Sequence, residues 1–270
     1  MDFIQALVLA IIEGLTEFLP VSSTAHMIFT SAFFGTEGDD FVKMFQVSIQ
    51  FGAILSVVAL YWKKFFDFSN LNFYYKLAAA VVPALILGKL FDDKIEAILE
   101  KPLPIAIALV VGGIVLLFVD RLFKNTTIDS EEKITFRKAI TIGFWQCLAM
   151  MPGTSRSAAS IIGGMQQGLT RRMAAEFSFF LAVPTMLAVT CYSIFLKDWE
   201  YLGVEQKGYE MITASSGNIF IFILGNVVAF IVAGLAIKLF IGLIEKYGFK
   251  IWGWYRIIVG VALIAFFTLK

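Results

Sequence analysis

Two carboxylates, Glu13 and Glu17, stand four residues apart, so on a helix they share one face. Left on lipid at mid-membrane, each would cost about 2.5–3.5 kcal/mol. The pair makes sense if a cation or a proton sits between the two, as a divalent-metal site or a general-base pair. The plainer reading is a short helix near the interface with both carboxylates in water. Pro20-Val21-Ser22-Ser23-Thr24-Ala25-His26 follows directly. An N-cap explains one of its hydroxyls. It does not explain the others, nor the placing of the chain's only histidine within about one helical turn of Ser22 and Ser23. A serine becomes a nucleophile when a base stands within hydrogen-bond reach, and either a carboxylate or His26 would serve.

A second polar segment reads Pro152-Gly153-Thr154-Ser155-Arg156-Ser157. Gly153 permits a tight turn, and the N–H groups opening the next helix form an anion site. Thr154, Ser155 and Ser157 add donors, and Arg156 adds a planar fork matched to phosphate oxygens. Its alternative partner is a salt bridge to Glu13 or Glu17. Ser160 lies one turn later, while Gln46 and Gln50 share a face farther back. Carboxylates, hydroxyls, one histidine and an arginine are the equipment of phosphoryl transfer, where positioning and charge stabilisation dominate. There is no HExxH, GxSxG, Walker loop or GxGxxG, and one histidine excludes a two-histidine phosphatase.

The elements that must position these residues are membrane helices. Of 270 residues, 59% are apolar and 16% charged, and mean hydropathy is +0.82. A soluble domain carries about 25% charged residues, so a water-facing surface cannot be covered. A net charge of +1 points to no nucleic-acid partner. Cys147 and Cys191 lack metal spacing and read as buried small hydrophobes. The segment from Met1-Asp2, with no basic n-region and no convincing cleavage site, is not expected to be a removable signal peptide. Spans of about 20 residues are predicted at 45–62, 77–91, 103–120, 174–196, 219–244 and 251–269. Segments 3–34 and 139–168 are apolar but broken by the two polar motifs, the pattern of re-entrant helical hairpins.

Pro20 and Pro152 stand 132 residues apart, and Ser23 with Ser155, Phe45 with Phe177 and Leu55 with Leu187 keep that offset. The expected fold is an all-α polytopic membrane domain over 1–270: an inverted-topology repeat of six transmembrane helices plus two re-entrant hairpins, with halves at about 1–124 and 137–270. With both termini outside, the inner loops carry Lys63, Lys64, Lys76, Arg121, Lys124, Lys133, Arg137, Lys138, Arg171, Arg172, Lys246 and Lys250. The outer segments carry Lys43, Lys94, Lys101, Lys197, Lys207 and Lys270, and are acidic at Asp92, Asp93, Glu96 and Glu100 among others. The positive-inside rule then places both termini on the outer side. Glu176 reads as a helix N-terminal charge, and Trp252, Trp254 and Tyr255 as an interfacial belt.

Glu13-Gly-Leu-Thr-Glu17-Phe-Leu-Pro20-Val-Ser-Ser-Thr24 followed by His26, together with Pro152-Gly-Thr-Ser-Arg156-Ser-Ala-Ala-Ser160 and Ala174-Ala-Glu-Phe-Ser-Phe-Phe-Leu-Ala-Val-Pro184, closely resembles the undecaprenyl-diphosphate phosphatase family of the bacitracin-resistance BacA type. The resemblance spans essentially the whole chain. Ala25 stands where the family commonly has Gly, and Ser160 where Thr is common, so one position stays small and the other keeps its hydroxyl. The resemblance implies a bacterial inner-membrane enzyme, open to the periplasmic side, that removes the terminal phosphate of undecaprenyl diphosphate. This recycles the lipid carrier of peptidoglycan synthesis and confers bacitracin resistance. Glu13, Glu17, Ser23, His26 and Arg156 are then the expected catalytic residues. Ser22, Thr24, Gln50, Gly153, Thr154, Ser155, Ser157 and Ser160 are expected to bind substrate. Glu13 and Glu17 would hold a divalent cation, Ca2+ or Mg2+. A homodimer and a lipid-phosphate transporter using the same central site remain open.

Overall fold

Asp2 opens the first helix with a capping box: its carboxylate accepts from the Gln5 N–H, and the Gln5 side chain accepts from the Asp2 N–H. The computed structural model describes residues 1–67, 71–99 and 101–269. Glu100 and Lys270, assigned above to outer segments, lie outside the described residues, as do the side chains of Asp93 and Glu96. The described chain is mostly helical: α1 Phe3–Thr16, α2 Ser23–Phe34, α3 Asp40–Leu60, α4 Trp62–Phe65, α5 Leu71–Leu90, α6 Asp92–Leu99, α7 Pro102–Leu122, α8 Phe136–Gln146, α9 Arg156–Gln166, α10 Arg171–Cys191, α11 Gly208–Thr213, α12 Ser216–Tyr247 and α13 Lys250–Leu269. Six of these are long and apolar enough to cross a membrane: α3, α5, α7, α10 with its π-turn to Leu196, α12 and α13. They coincide with the six expected spans. The chain is a multi-pass membrane protein. Large apolar side chains such as Phe33, Ile86, Leu239 and Ile258 stand exposed on its flanks, where lipid, not water, is the neighbour.

Two features escaped the sequence reading. Asp198–Tyr201 (β1) pairs antiparallel with Val204–Lys207 (β2) through a Leu202-Gly203 turn whose φ angles are both positive. Cys191 is exposed and Cys147 half-buried. The reading of both as buried fails because apolar surroundings in sequence include the lipid-facing flank of a span.

The packing that positions the site is built on small residues. α7 and α13 form the most extensive helix pair. A Cβ added at Gly113 would stand 2.8 Å from the Gly253 carbonyl, and one at Gly253 would stand 2.8 Å from the Gly113 carbonyl. The two backbones are therefore in contact. α1 packs on α12 and α8 on α5, while α3 packs on both α10 and α12. Phe18, Phe45, Phe177, Phe179, Phe180 and Phe240 fill the buried centre.

Candidate active site

The polar segments lie where α1 gives way to α2 and where α8, after a 3₁₀ turn at Cys147–Met150, gives way to α9. Both second helices start in the same way. Ser22 (φ 70°) and Ser155 (φ 76°) sit at positive φ, a costly conformation for a residue with a Cβ. Their hydroxyls accept from the Ala25 and Ala158 N–H groups, and their carbonyls from the N–H groups of His26 and Ala159. The local backbone thus pairs Ser155 with Ser22, one residue off the 132-residue offset that pairs it with Ser23. In each helix the two N–H groups before the capped one, at Ser23 and Thr24 and at Arg156 and Ser157, lack an intrahelical acceptor.

The two tips meet on Glu17. Its Oε2 accepts from Ser23 Oγ at 2.5 Å, and its Oε1 from Arg156 Nη2 at 2.7 Å. Ser157 Oγ donates to the Phe18 carbonyl at 2.7 Å and clips the second tip to the first. Arg156 Nη1 donates to the Ser178 carbonyl at 3.0 Å, and Ser160 Oγ shares a hydrogen bond with Ser178 Oγ at 2.7 Å. Glu17 is 6%, Ser23 6% and Ser157 1% exposed, so the ion pair is held away from bulk solvent. Glu13 lies one turn below, at 0% exposure, and neither of its carboxylate oxygens has a hydrogen-bond partner. A buried carboxylate without a donor is costly.

His26 is turned away from the serine hydroxyl. Its Nδ1 lies 2.8 Å from the Ser22 carbonyl and its Nε2 2.8 Å from the Tyr255 hydroxyl, and the two rings stack. A carbonyl only accepts, so Nδ1 carries the proton and Nε2 is the basic nitrogen. The proton acceptor facing Ser23 is Glu17, not His26. Tyr255, read from the sequence as part of an interfacial belt, thus also stands beside the first tip. Gly153 (φ 93°) is buried, and Thr154 and Thr24 are half-buried. Gln46 donates to Ser31 on α2, while no hydrogen bond among the described residues joins half-buried Gln50 to the tips. Arg171 pairs with Asp120, and Arg172 with Glu176 and Glu245, all away from the cluster.

Two residues at the site escaped the sequence reading. Ser178 is the hydroxyl in the Phe177-Ser178-Phe179-Phe180 run of α10. Arg256 is a charge inside the last span, and an ionisable residue in a span is the signal that should have singled it out.

Among the described residues no group of three or more His, Cys, Asp or Glu side chains gathers. The carboxylate oxygens of Glu13 and Glu17 are donors of the kind a hard divalent cation takes, and those of Glu13 have no hydrogen-bond partner.

An ion pair touching a serine hydroxyl, walled in by lipid-facing helices, defines a polytopic membrane protein equipped for chemistry on an anionic head group. Over residues 6–262 the chain matches the family described as Bacitracin resistance protein BacA, and it belongs to that family. It is 55% identical over 267 residues to an undecaprenyl-diphosphatase of Flavobacterium psychrophilum, covering 98% of this chain and 95% of the relative. It is 49% identical over 281 residues to one of Porphyromonas gingivalis (98% and 96% covered). To one of Wolinella succinogenes it is 44% identical over 271 residues (100% of both).

Proposed function

We propose that this chain hydrolyses undecaprenyl diphosphate to undecaprenyl phosphate and inorganic phosphate. In doing so it recycles the lipid carrier of peptidoglycan synthesis and confers bacitracin resistance. The observation that carries the mechanism is the contact of Ser23 Oγ with Glu17, which is itself paired to Arg156 on the other tip. Ser23 Oγ attacks the terminal phosphorus, and its proton passes to Glu17. The anhydride P–O bond breaks, and undecaprenyl phosphate leaves. Water then attacks the phosphorus: the bond to Ser23 Oγ breaks, Glu17 returns its proton to that oxygen, and phosphate leaves, with His26 Nε2 taking the water's proton once Tyr255 yields it. Arg156 exchanges Glu17 for phosphate oxygens. The free N–H groups of Ser23, Thr24, Arg156 and Ser157 complete the anion cradle, and Gly153, Thr154, Ser155 and Ser22 shape the turns that present them. Ser160 holds Ser178, which steadies Arg156.

Glu13 and Glu17 would hold Ca2+ or Mg2+, which when bound neutralises phosphate charge as a Lewis acid. The single chain forms one membrane domain. The reciprocal packing of α1 on α12 and α8 on α5 supports an inverted repeat with two re-entrant hairpins. The Lys and Arg bias of the loops supports termini in the periplasm, and the site opens to that side. The tail units next to the head group run along the apolar groove beside His26, lined by Ile12, Phe29, Phe33, Val259 and Leu263, and the rest of the tail extends into lipid. A homodimer would pair lipid-facing flanks, and cross-linking in native membranes tests it. The relatives are named for hydrolysis, and nothing supports the transporter alternative.

The test is phosphate release by purified protein in detergent, with Ca2+ or Mg2+ present and no gradient. Wild type should turn over undecaprenyl diphosphate, and Glu17→Ala and Arg156→Ala should lose nearly all activity. Full activity in either variant, or none in the wild type, would overturn the reading.

A further inference from the structure

Arg256 is 0% exposed and has no ion-pair partner among the described residues. A guanidinium has five N–H donors, and here they make five hydrogen bonds, all to backbone carbonyls. Nε donates to Leu109 at 3.1 Å and Nη2 to Ala108 at 3.3 Å, both on α7. Nη1 donates to Pro20 at 3.1 Å, on the first tip. Nη1 and Nη2 also donate to Thr154 at 2.9 Å and Gly153 at 2.7 Å, on the second. One side chain from α13 thus grips both tips and a third helix. Gly112 makes room for it, because a Cβ there would collide with the guanidinium.

We propose that Arg256 is a positioning residue for the reaction, a staple that holds the two tips in register so that Ser23 and Arg156 meet on Glu17. This rests on the phosphatase reading above. The physical reason lies in the peptide plane. Among the described residues the peptides are trans, so the carbonyl of one residue points opposite the N–H of the next. A tip carbonyl tied to Arg256 cannot turn toward the phosphates and repel them; the N–H groups that follow Pro20 and Gly153 are bonded to Leu19 and Met151, so these peptides are fixed on both sides and set the course of the backbone into Ser23 and Arg156. A buried charge is costly, and no carboxylate offsets this one, so a purely apolar α13 would pack at lower cost. What the arginine adds is a fork that reaches carbonyls on three segments at once, which a lysine's point charge cannot do.

The experiment compares wild type, Arg256→Met, Arg256→Lys and Gly112→Ala in detergent. Phosphate release from undecaprenyl diphosphate is measured per molecule of monodisperse, folded protein. Hydrogen–deuterium exchange is followed at the tip amides, Val21–Thr24 and Thr154–Ser157. Misplacement by about 1 Å is worth about 100-fold in rate. Arg256→Met should therefore lose about 100-fold in kcat with KM changed less than about threefold. Arg256→Lys keeps the charge and should recover no more than about tenfold of that loss. Gly112→Ala keeps the arginine but pushes it off its carbonyls, and should lose about tenfold or more. Tip amides should exchange faster in all three. The proposal fails if Arg256→Met or Gly112→Ala keeps wild-type kcat per folded molecule, or if Arg256→Lys restores full activity. It fails equally if no variant folds, since the residue then holds the fold and not the reaction. Wild type without phosphate release defeats the phosphatase reading alone. The staple is then judged by exchange, and unchanged exchange at the tips overturns it.

Discussion

Replacing Glu13 by Gln should raise the stability of the metal-free protein while removing its response to divalent cations. Glu13 is fully buried and both of its oxygens lack a donor. An unsatisfied buried acceptor costs about 1–3 kcal/mol, and more when charged. Glutamine keeps the shape and removes the charge that opposes Glu17 one turn away. A gain of about 2 kcal/mol corresponds to about 4–8 °C in thermal midpoint for a chain of this size class. Wild type has the opposite dependence. A cation bound by Glu13 and Glu17, at one hundred times its Kd, adds about 2.7 kcal/mol, equivalent to about 5–11 °C. Wild type and Glu13→Gln should therefore change order between chelator and saturating cation. The assay is tryptophan-fluorescence unfolding of detergent-solubilised protein, with chelator and then across a Ca2+ or Mg2+ titration, and phosphate release is followed alongside. A wild-type midpoint indifferent to both cations would refute the metal assignment. A Glu13→Gln protein less stable than wild type in chelator would refute the argument from the unpartnered oxygens.

Three further outcomes are expected. Glu17→Gln removes the proton acceptor of Ser23 and should lower kcat by about 10²–10⁴-fold. It also strands the Arg156 charge, so its thermal midpoint should fall by the equivalent of about 3–5 kcal/mol, and an unchanged midpoint would show that the pair is not buried as described. Ser23→Ala should abolish turnover, and acid-quenched wild type should yield phosphoserine at position 23 by mass spectrometry. Substantial turnover by Ser23→Ala would leave direct water attack with His26 as base. At Ser155, glycine relieves the positive φ while losing the cap, so Ser155→Gly should stay within about 1 kcal/mol of wild type. Ser155→Ala keeps the conformational cost and loses the cap, and should melt lower than the glycine variant by about 1–2 kcal/mol. Equal midpoints would refute the capping account.

Sequence alone determined the class of fold, because spanning a bilayer depends on a local, additive property. About 20 consecutive apolar residues suffice, and each of the six expected stretches became a helix long enough to cross. The two polar interruptions were equally plain, since hydroxyls, proline and glycine break an apolar run wherever they stand. What sequence left open was which polar group answers which. Arg156 had Glu13 and Glu17 as alternative partners, one turn apart on the same face, and only the approach of two segments 139 residues apart selected Glu17. The same non-local geometry turned His26 onto Tyr255, 229 residues away, and left Ser23 to Glu17. It brought Arg256 under both tips through the close crossing of α7 and α13 that Gly113 and Gly253 permit. Hydrogen bonds inside a membrane protein are set by helix rotation and crossing to within an ångström, and those follow from packing across the whole bundle. The residue types announced the chemistry, and the tertiary structure decided the partners.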